Sequence, residues 1–244
     1  MGNIVSNFAF ICPPSSYTYK LSGLEFVERD VITQRIPIRY YQKDKDLPTM
    51  IICHGNAEDI GQEDPQMLAN MFNVNICLFD YAGYGLHSCK YASEYNCQQD
   101  VIAVYQHLKR VKKINNIIIY GRSLGSGISV YLASLTQCKL ILVSPLYSVA
   151  NVVTDMWIPG DIFRNYLLAP DIKSQVLILH GNNDNVVPFV CGKKLSLLFP
   201  NLYEFVILKG CGHNDISTVQ YYNKIREFVL NSCIYTKSNS KLDV

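Results

Sequence analysis

A serine becomes a strong nucleophile when a tight turn lifts its hydroxyl above a sheet, a histidine takes its proton and a carboxylate orients that histidine. The stretch Gly121-Arg122-Ser123-Leu124-Gly125 has the form G-x-S-x-G. It follows a short apolar run at 117–120 and precedes a helix-compatible run at 124–136. A nucleophile elbow needs that setting, because glycines on either side relieve crowding in a strained strand-to-helix turn. Ser123 is therefore the expected nucleophile. The backbone N–H of Leu124, at the head of the helix, is an expected oxyanion donor. A phosphate-cradling loop is the competing reading, and it fails because no Lys follows the glycines.

Chain order narrows the partners. On a fold with this elbow the acid and then the histidine follow the serine. Of His54, His87, His107, His180 and His213, only the last two do so. His213 lies in the glycine-flanked stretch Gly210-Cys-Gly-His-Asn214, which suits a mobile base, whereas His180 closes an apolar run and reads as structural. Among Asp155, Asp161, Asp171, Asp184 and Glu204, only Asp184 closely follows a buried-strand pattern, so it is the expected acid. Asp215 reads instead as the cap of a final helix. A second oxyanion donor should come from the loop after an earlier strand, His54-Gly-Asn-Ala-Glu-Asp59, through the backbone N–H of Asn56. Such chemistry requires no cofactor, and neither H-e-x-x-H nor paired cysteines suggest a metal.

These residues need a scaffold, and the pattern supplies one. Strand-like runs at 24–31 and 35–42 suit an antiparallel edge. Continuous apolar runs at 49–53, 75–79, 117–120, 140–144, 176–179 and 203–208 suit buried strands. Helical patterns at 61–72, 93–113, 124–136, 189–199 and 215–231 separate them. The alternation predicts an α/β fold with a mostly parallel twisted sheet flanked by helices. Residues 145–174 are irregular, with room for a helix but no large cap domain. Their Met156, Trp157, Ile158, Phe163, Tyr166, Leu167 and Leu168 either line an acyl groove or pack on the sheet.

Composition sets outer limits. Of 244 residues, 49% are hydrophobic and 17% charged, which supports a large core and excludes global disorder. A net charge of +2 argues against nucleic acid as a partner. The basic residues Lys109, Arg110, Lys112 and Lys113 read as the favourable C-terminal end of a helix. No apolar run reaches the ~18 residues of a membrane-spanning helix. Nine cysteines without a C-x-x-C point to free thiols in a reducing compartment.

The first residues, Met1-Gly2-Asn3-Ile4-Val5-Ser6, fit M-G-x-x-x-[ST], so Gly2 is an expected myristoylation site. One such chain holds a membrane only marginally, and Cys12, after an apolar stretch, is the expected palmitoylation site that completes the anchor. The reading is an anchor segment at 1–20, one domain at 21–231 and a polar, fraying tail at 232–244, with the protein on the cytoplasmic side of a membrane.

Taken together, His54-Gly-Asn-Ala-Glu-Asp59 with Gly61-Gln62, Asp80-Tyr-Ala-Gly-Tyr-Gly85, Gly121-Arg-Ser-Leu-Gly125, Ser144-Pro-Leu146, His180-Gly with Asp184, and Gly212-His-Asn-Asp-Ile216 resemble the α/β-hydrolase domain-containing protein 17 group over roughly 36–231. The resemblance implies a single α/β-hydrolase domain and a serine hydrolase that removes palmitate from protein cysteines at membranes. It also places Ser123, Asp184 and His213 on the group's triad positions. The chain departs from the group where Arg122 replaces a usual Gln, and where Cys12 stands alone in place of a cysteine cluster. The expected partner is thus an S-acylated protein or a lipid-like ester. The alternatives are another carboxylic-ester or lipid hydrolase, and a non-catalytic scaffold.

Overall fold

The computed structural model describes residues 9–29, 34–154, 156 and 158–239, with side chains described through 231. Gly2, Asp155 and Trp157 lie outside the described residues. The strands are β1 (Leu24–Arg29), β2 (Gln34–Tyr41), β3 (Thr49–Cys53), β4 (Asn75–Phe79), β5 (Ile117–Arg122), β6 (Lys139–Val143), β7 (Val176–Gly181) and β8 (Leu202–Leu208). Among the described residues they form one sheet in the order β1-β2-β4-β3-β5-β6-β7-β8. β1 and β2 pair antiparallel, as do β2 and β4; β3 to β8 run parallel. Every residue of β3 and β4 is buried, because helices cover both faces of the sheet.

The helices are α1 (Pro65–Phe72), α2 (Glu94–Arg110), α3 (Gly125–Thr136), α4 (Asn165–Leu168), α5 (Phe189–Ser196) and α6 (Val219–Asn239). Alternate strand residues serve opposite layers. Ile51, Cys53 and Ile119 pack with Val104 and Leu108 of α2 and Ile128 of α3. Met50, Ile52 and Ile118 pack with Phe72 of α1 and Ile225 and Phe228 of α6.

Caps fix the helix starts. Asp64 accepts from Gln66 N at 2.9 Å with Pro65 in the first turn, so α1 begins four residues later than the pattern at 61–72 suggests. Ser93 caps α2, accepting from Asn96 N at 3.1 Å. The expected role of Asp215 is corrected. The last helix starts only at Val219, Thr218 Oγ1 accepts from Tyr221 N at 3.2 Å, and the Asp215 carboxylate takes the Gly212 N–H instead. The helix continues to Asn239, into the stretch read from sequence as a fraying tail.

The irregular stretch holds two 3-10 turns, Ala150–Val152 and Ala169–Asp171, around the single turn α4. Phe163 turns inward, and a Cβ on Gly127 of α3 would meet its ring at 2.4 Å. Tyr166 stacks on Tyr147 with centroids 4.9 Å apart. The chain passes from β3 to β4 on one side and returns to β5 on the other, so the sheet reverses its winding beside β3. Open α/β sheets bind ligands in the crevice at such a point.

Candidate active site

Gly121 pairs with Cys53 of β3, β5 ends at the next residue, Arg122, and Ser123 and Leu124 turn sharply into α3. Ser123 takes φ 51°, a left-handed conformation that costs a non-glycine residue on the order of 1 kcal/mol or more. Its N–H donates to Val143 O of β6 at 3.0 Å, which holds the turn in place. Space forces the glycine here: a Cβ on Gly125 would lie 2.1 Å from Cys53 O. Leu124 follows at the head of α3, with no side chain capping the helix there. The amide end of α3 is thus open beside Ser123.

Asn56 sits in the loop after β3. Its side chain does work that the sequence pattern does not suggest. Nδ2 donates to Ala9 O at 2.9 Å, and Oδ1 accepts from Ile11 N at 2.9 Å and from the Tyr84 hydroxyl at 2.6 Å. The segment before β1 is thereby strapped across the loop. Further along, Asp59 accepts from the Ser16 amide and hydroxyl, and Asp80 accepts from the Tyr17 hydroxyl and from Ile60 N. Cys12 is exposed on this strap, against Gly83.

Asn56, Ser123 and Leu124 meet at one cavity of about 470 Å³, within the range of small-molecule sites. Its other walls are apolar: Ala9, Leu146, Val149, Val152, Val153, Ile158, Val186 and Val187 among them. Of the residues weighed as groove-lining, Ile158 takes that place. Phe163 belongs to the packed core, and Leu168 packs against it.

Asp184 and His213 meet beside it. His213 Nδ1 lies 2.8 Å from Asp184 Oδ2, and both residues are buried. Asp184 Oδ1 accepts from Val186 N and Val187 N at 2.9 and 2.8 Å, so the acid is fixed by the residues that wall the cavity. Gly181 permits the close approach, since a Cβ there would lie 2.3 Å from Cys211 O in the histidine loop. His180 is buried under α5. Its Nε2 donates to Val187 O at 3.0 Å and lies 3.3 Å from Asp184 Oδ2. Burial alone would raise the Asp184 carboxyl, but hydrogen bonds from His180, His213 and Val187 outweigh it and hold the group well below the usual carboxylate range.

Arg122 ties these parts together, a role that no local motif signals. Nη1 donates to Glu58, whose other oxygen accepts from Gly55 N at 2.8 Å. Nη2 donates to Asn214 Oδ1 at 2.7 Å and reaches His213 O at 3.3 Å. One guanidinium therefore joins the Asn56 loop and the His213 loop to the residue before Ser123. Displacing groups around a reacting centre by about 1 Å can cost ~100-fold. Arg122→Met is accordingly expected to lower kcat for ester hydrolysis about 10- to 100-fold with a smaller change in KM. Arg122→Gln keeps a donor for Asn214 and should lose less. Steady-state kinetics on both variants, with melting curves to confirm folding, check this; equal turnover in all three proteins would refute it.

Among the described residues no group of three His, Cys, Asp or Glu is placed to hold a metal ion, and no helix is long and apolar enough to cross a membrane.

Comparison with known proteins agrees with the fold. Residues 45–166 match the Hydrolase_4 family, described as serine aminopeptidase, S33. The alpha/beta hydrolase domain-containing protein 17C of Mus musculus is 36% identical over 190 residues, covering 74% of this chain and 59% of that protein. The chain thus spans less than two thirds of that relative's length. The Pyrococcus furiosus esterase Pf2001 superposes with a TM-score of 0.71 at 17% identity, over 91% of this chain and 98% of that one. Est1E from Butyrivibrio proteoclasticus, solved with ferulic acid bound, gives 0.67 at 18% identity over 85% and 98%. At such identities these two structures share the fold.

Proposed function

The chain belongs to the α/β-hydrolase family matched over residues 45–166 and resembles the α/β-hydrolase domain-containing protein 17 group, and from this we propose that it is a serine hydrolase that removes palmitate from S-acylated membrane proteins. In this reading Ser123, Asp184 and His213 are the triad. His213 takes the Ser123 proton, and the hydroxyl oxygen attacks the thioester carbonyl. The N–H groups of Leu124 and Asn56 hold the tetrahedral oxyanion. His213 then protonates the departing cysteine thiolate, and a water activated by the same imidazole releases the fatty acid from Ser123. Lipidation at Gly2 and Cys12 keeps the enzyme at the membrane that carries its substrate.

The observation that carries the substrate class is the apolar cavity of about 470 Å³ that begins at Ser123 and is walled by valines, leucine and isoleucine. Such a wall suits an alkyl chain and offers a polar acyl group little to bond. The test compares hydrolysis of an S-palmitoyl peptide, an S-acetyl peptide and a soluble aryl ester. A preference for the long-chain thioester in kcat/KM is expected. Ester turnover without thioester turnover would move the enzyme to a different ester substrate, and no turnover of any of the three would leave a scaffold.

A further inference from the structure

Another cavity, of about 430 Å³, lies between α1 and α6 on the face of the sheet that they cover, and the mechanism above does not use it. Its size is within the range of small-molecule sites. Its floor is aromatic. Phe72, Tyr120, Tyr221 and Tyr222 all line it, and the Phe72 ring centroid lies 6.2, 6.1 and 5.9 Å from those of the three tyrosines. The charges on its walls do not balance: Glu58, Asp59 and Glu63 stand against Arg122 alone. Glu58 is paired with Arg122, and Asp59 accepts from Ser16 N and Gly61 N. The Glu63 side chain has no hydrogen bond or ion pair among the described residues. It reaches solvent, yet the protein partly shields it from water. That shielding and the charge of Glu58 push its carboxyl up, and Arg122 offsets them only in part. His54 lines the same cavity and is 7% exposed. Its Nδ1 donates to Gly55 O at 2.8 Å, and burial lowers its pKa, so the ring is neutral and Nε2 is an acceptor. That nitrogen is buried without a hydrogen-bond partner, 3.5 Å from Asp80 Oδ1. A buried polar atom left in this way is exceptional.

We propose that this cavity binds an organic ammonium cation with an apolar body, the ammonium against Glu63 and Glu58 and the body on the aromatic floor. Ring faces carry negative potential, so the floor and the carboxylates favour the same charge. An anion would meet three carboxylates, and a neutral ligand would leave Glu63 without a counter-charge. The lysine side chain of a bound protein and a free amine both present this chemistry. The site is also joined to Ser123. Its wall residues His54, Arg122 and Asn214 stand within two positions of Asn56, Ser123 and His213. Glu58, Arg122 and Asn214 are the same groups that tie the Asn56 loop to the His213 loop. An ammonium that draws Glu58 away from Arg122 loosens that tie, so binding lowers turnover at Ser123.

The test uses the full chain with phenethylammonium as probe and 2-phenylethanol as its neutral counterpart, and reads binding by titration calorimetry. The ammonium is expected to bind about tenfold more tightly than the alcohol. Glu63→Gln should weaken the ammonium about fivefold and leave the alcohol unchanged, with melting curves to confirm folding. In the parent, saturating ammonium should lower kcat for a soluble aryl ester about fivefold, and the same concentration should do less in Glu63→Gln. Equal affinity for the two probes, or an ammonium affinity that Glu63→Gln does not change, would overturn the site. Binding that leaves kcat unchanged would overturn its link to Ser123. A peptide with a single lysine that binds with the same dependence on Glu63, where its norleucine analogue does not, assigns the natural ligand to a protein side chain. A lysine peptide that does not bind, beside an ammonium that does, assigns it to a free amine. If the ammonium binds and no ester or thioester is cleaved, the cation site stands and the hydrolase reading falls.

Discussion

Ser123→Ala is expected to abolish labelling by a fluorophosphonate probe and to reduce hydrolysis on the order of 10⁶-fold, to the floor of the assay, with the melting temperature unchanged. The chemical part follows from the elbow, since alanine leaves nothing at the cavity end to attack a carbonyl. The stability part follows from the backbone. Ser123 sits at φ 51°, and alanine meets the same steric conflict there as serine. Glycine does not. Ser123→Gly should be equally inactive yet gain about 1 kcal/mol after its own entropic cost, a rise of roughly 2–4 °C for a chain of this size. An inactive variant that melts higher than the parent would show strain held at the nucleophile for function. Retained labelling in Ser123→Ala would place the reactive hydroxyl elsewhere. A Ser123→Gly protein that melts lower than the parent would mean that the side chain supports the fold.

Much of this arrangement is legible in the sequence because its signals are local. The buried runs that become β3 and β4 are short and unbroken since both faces of the strands are covered. The elbow is readable because glycine spacing records steric need within five residues. What escapes is non-local. Arg122 finds Glu58 across 64 positions and Asn214 across 92, and Asn56 binds Ile11 across 45. No periodicity reports such pairs. Asp215 shows the limit of a short motif. It and Thr218 are both competent caps, and the choice is made by the Gly212 N–H, which engages the aspartate and leaves the threonine to begin α6. The cavity walls Val149 and Val152 lie in a stretch whose conformation is irregular, so its apolar residues divide between cavity and core according to how the segment folds.

Asp184→Asn should lower kcat on the order of 10⁴-fold although it replaces one oxygen by nitrogen. Both ends of the carboxylate face donors: Oδ1 takes the Val186 and Val187 amides, and Oδ2 takes His213 Nδ1 with His180 Nε2 close by. An asparagine that keeps its oxygen toward the amides turns its NH₂ toward His213. The imidazole must then accept at Nδ1 and carry its proton on Nε2, where it can no longer take one from Ser123. The flipped amide sets NH₂ against two backbone N–H groups and leaves both without an acceptor. Either way the negative charge that favours the imidazolium is gone. Stability follows the same group. Its proton is held less tightly in the folded chain than in the unfolded one, so Asp184 stabilises the fold above the unfolded carboxyl pKa of ~3.9. That contribution fades as pH falls below this value toward the lower folded one. The melting temperature of Asp184→Asn should therefore lie below that of the parent at neutral pH, and the gap should close under acid. Melting curves over pH, with kinetics at neutral pH, test both parts. A loss of less than about tenfold in kcat would show that another carboxylate orients His213, and a gap that widens in acid would reverse the assigned direction of the Asp184 shift.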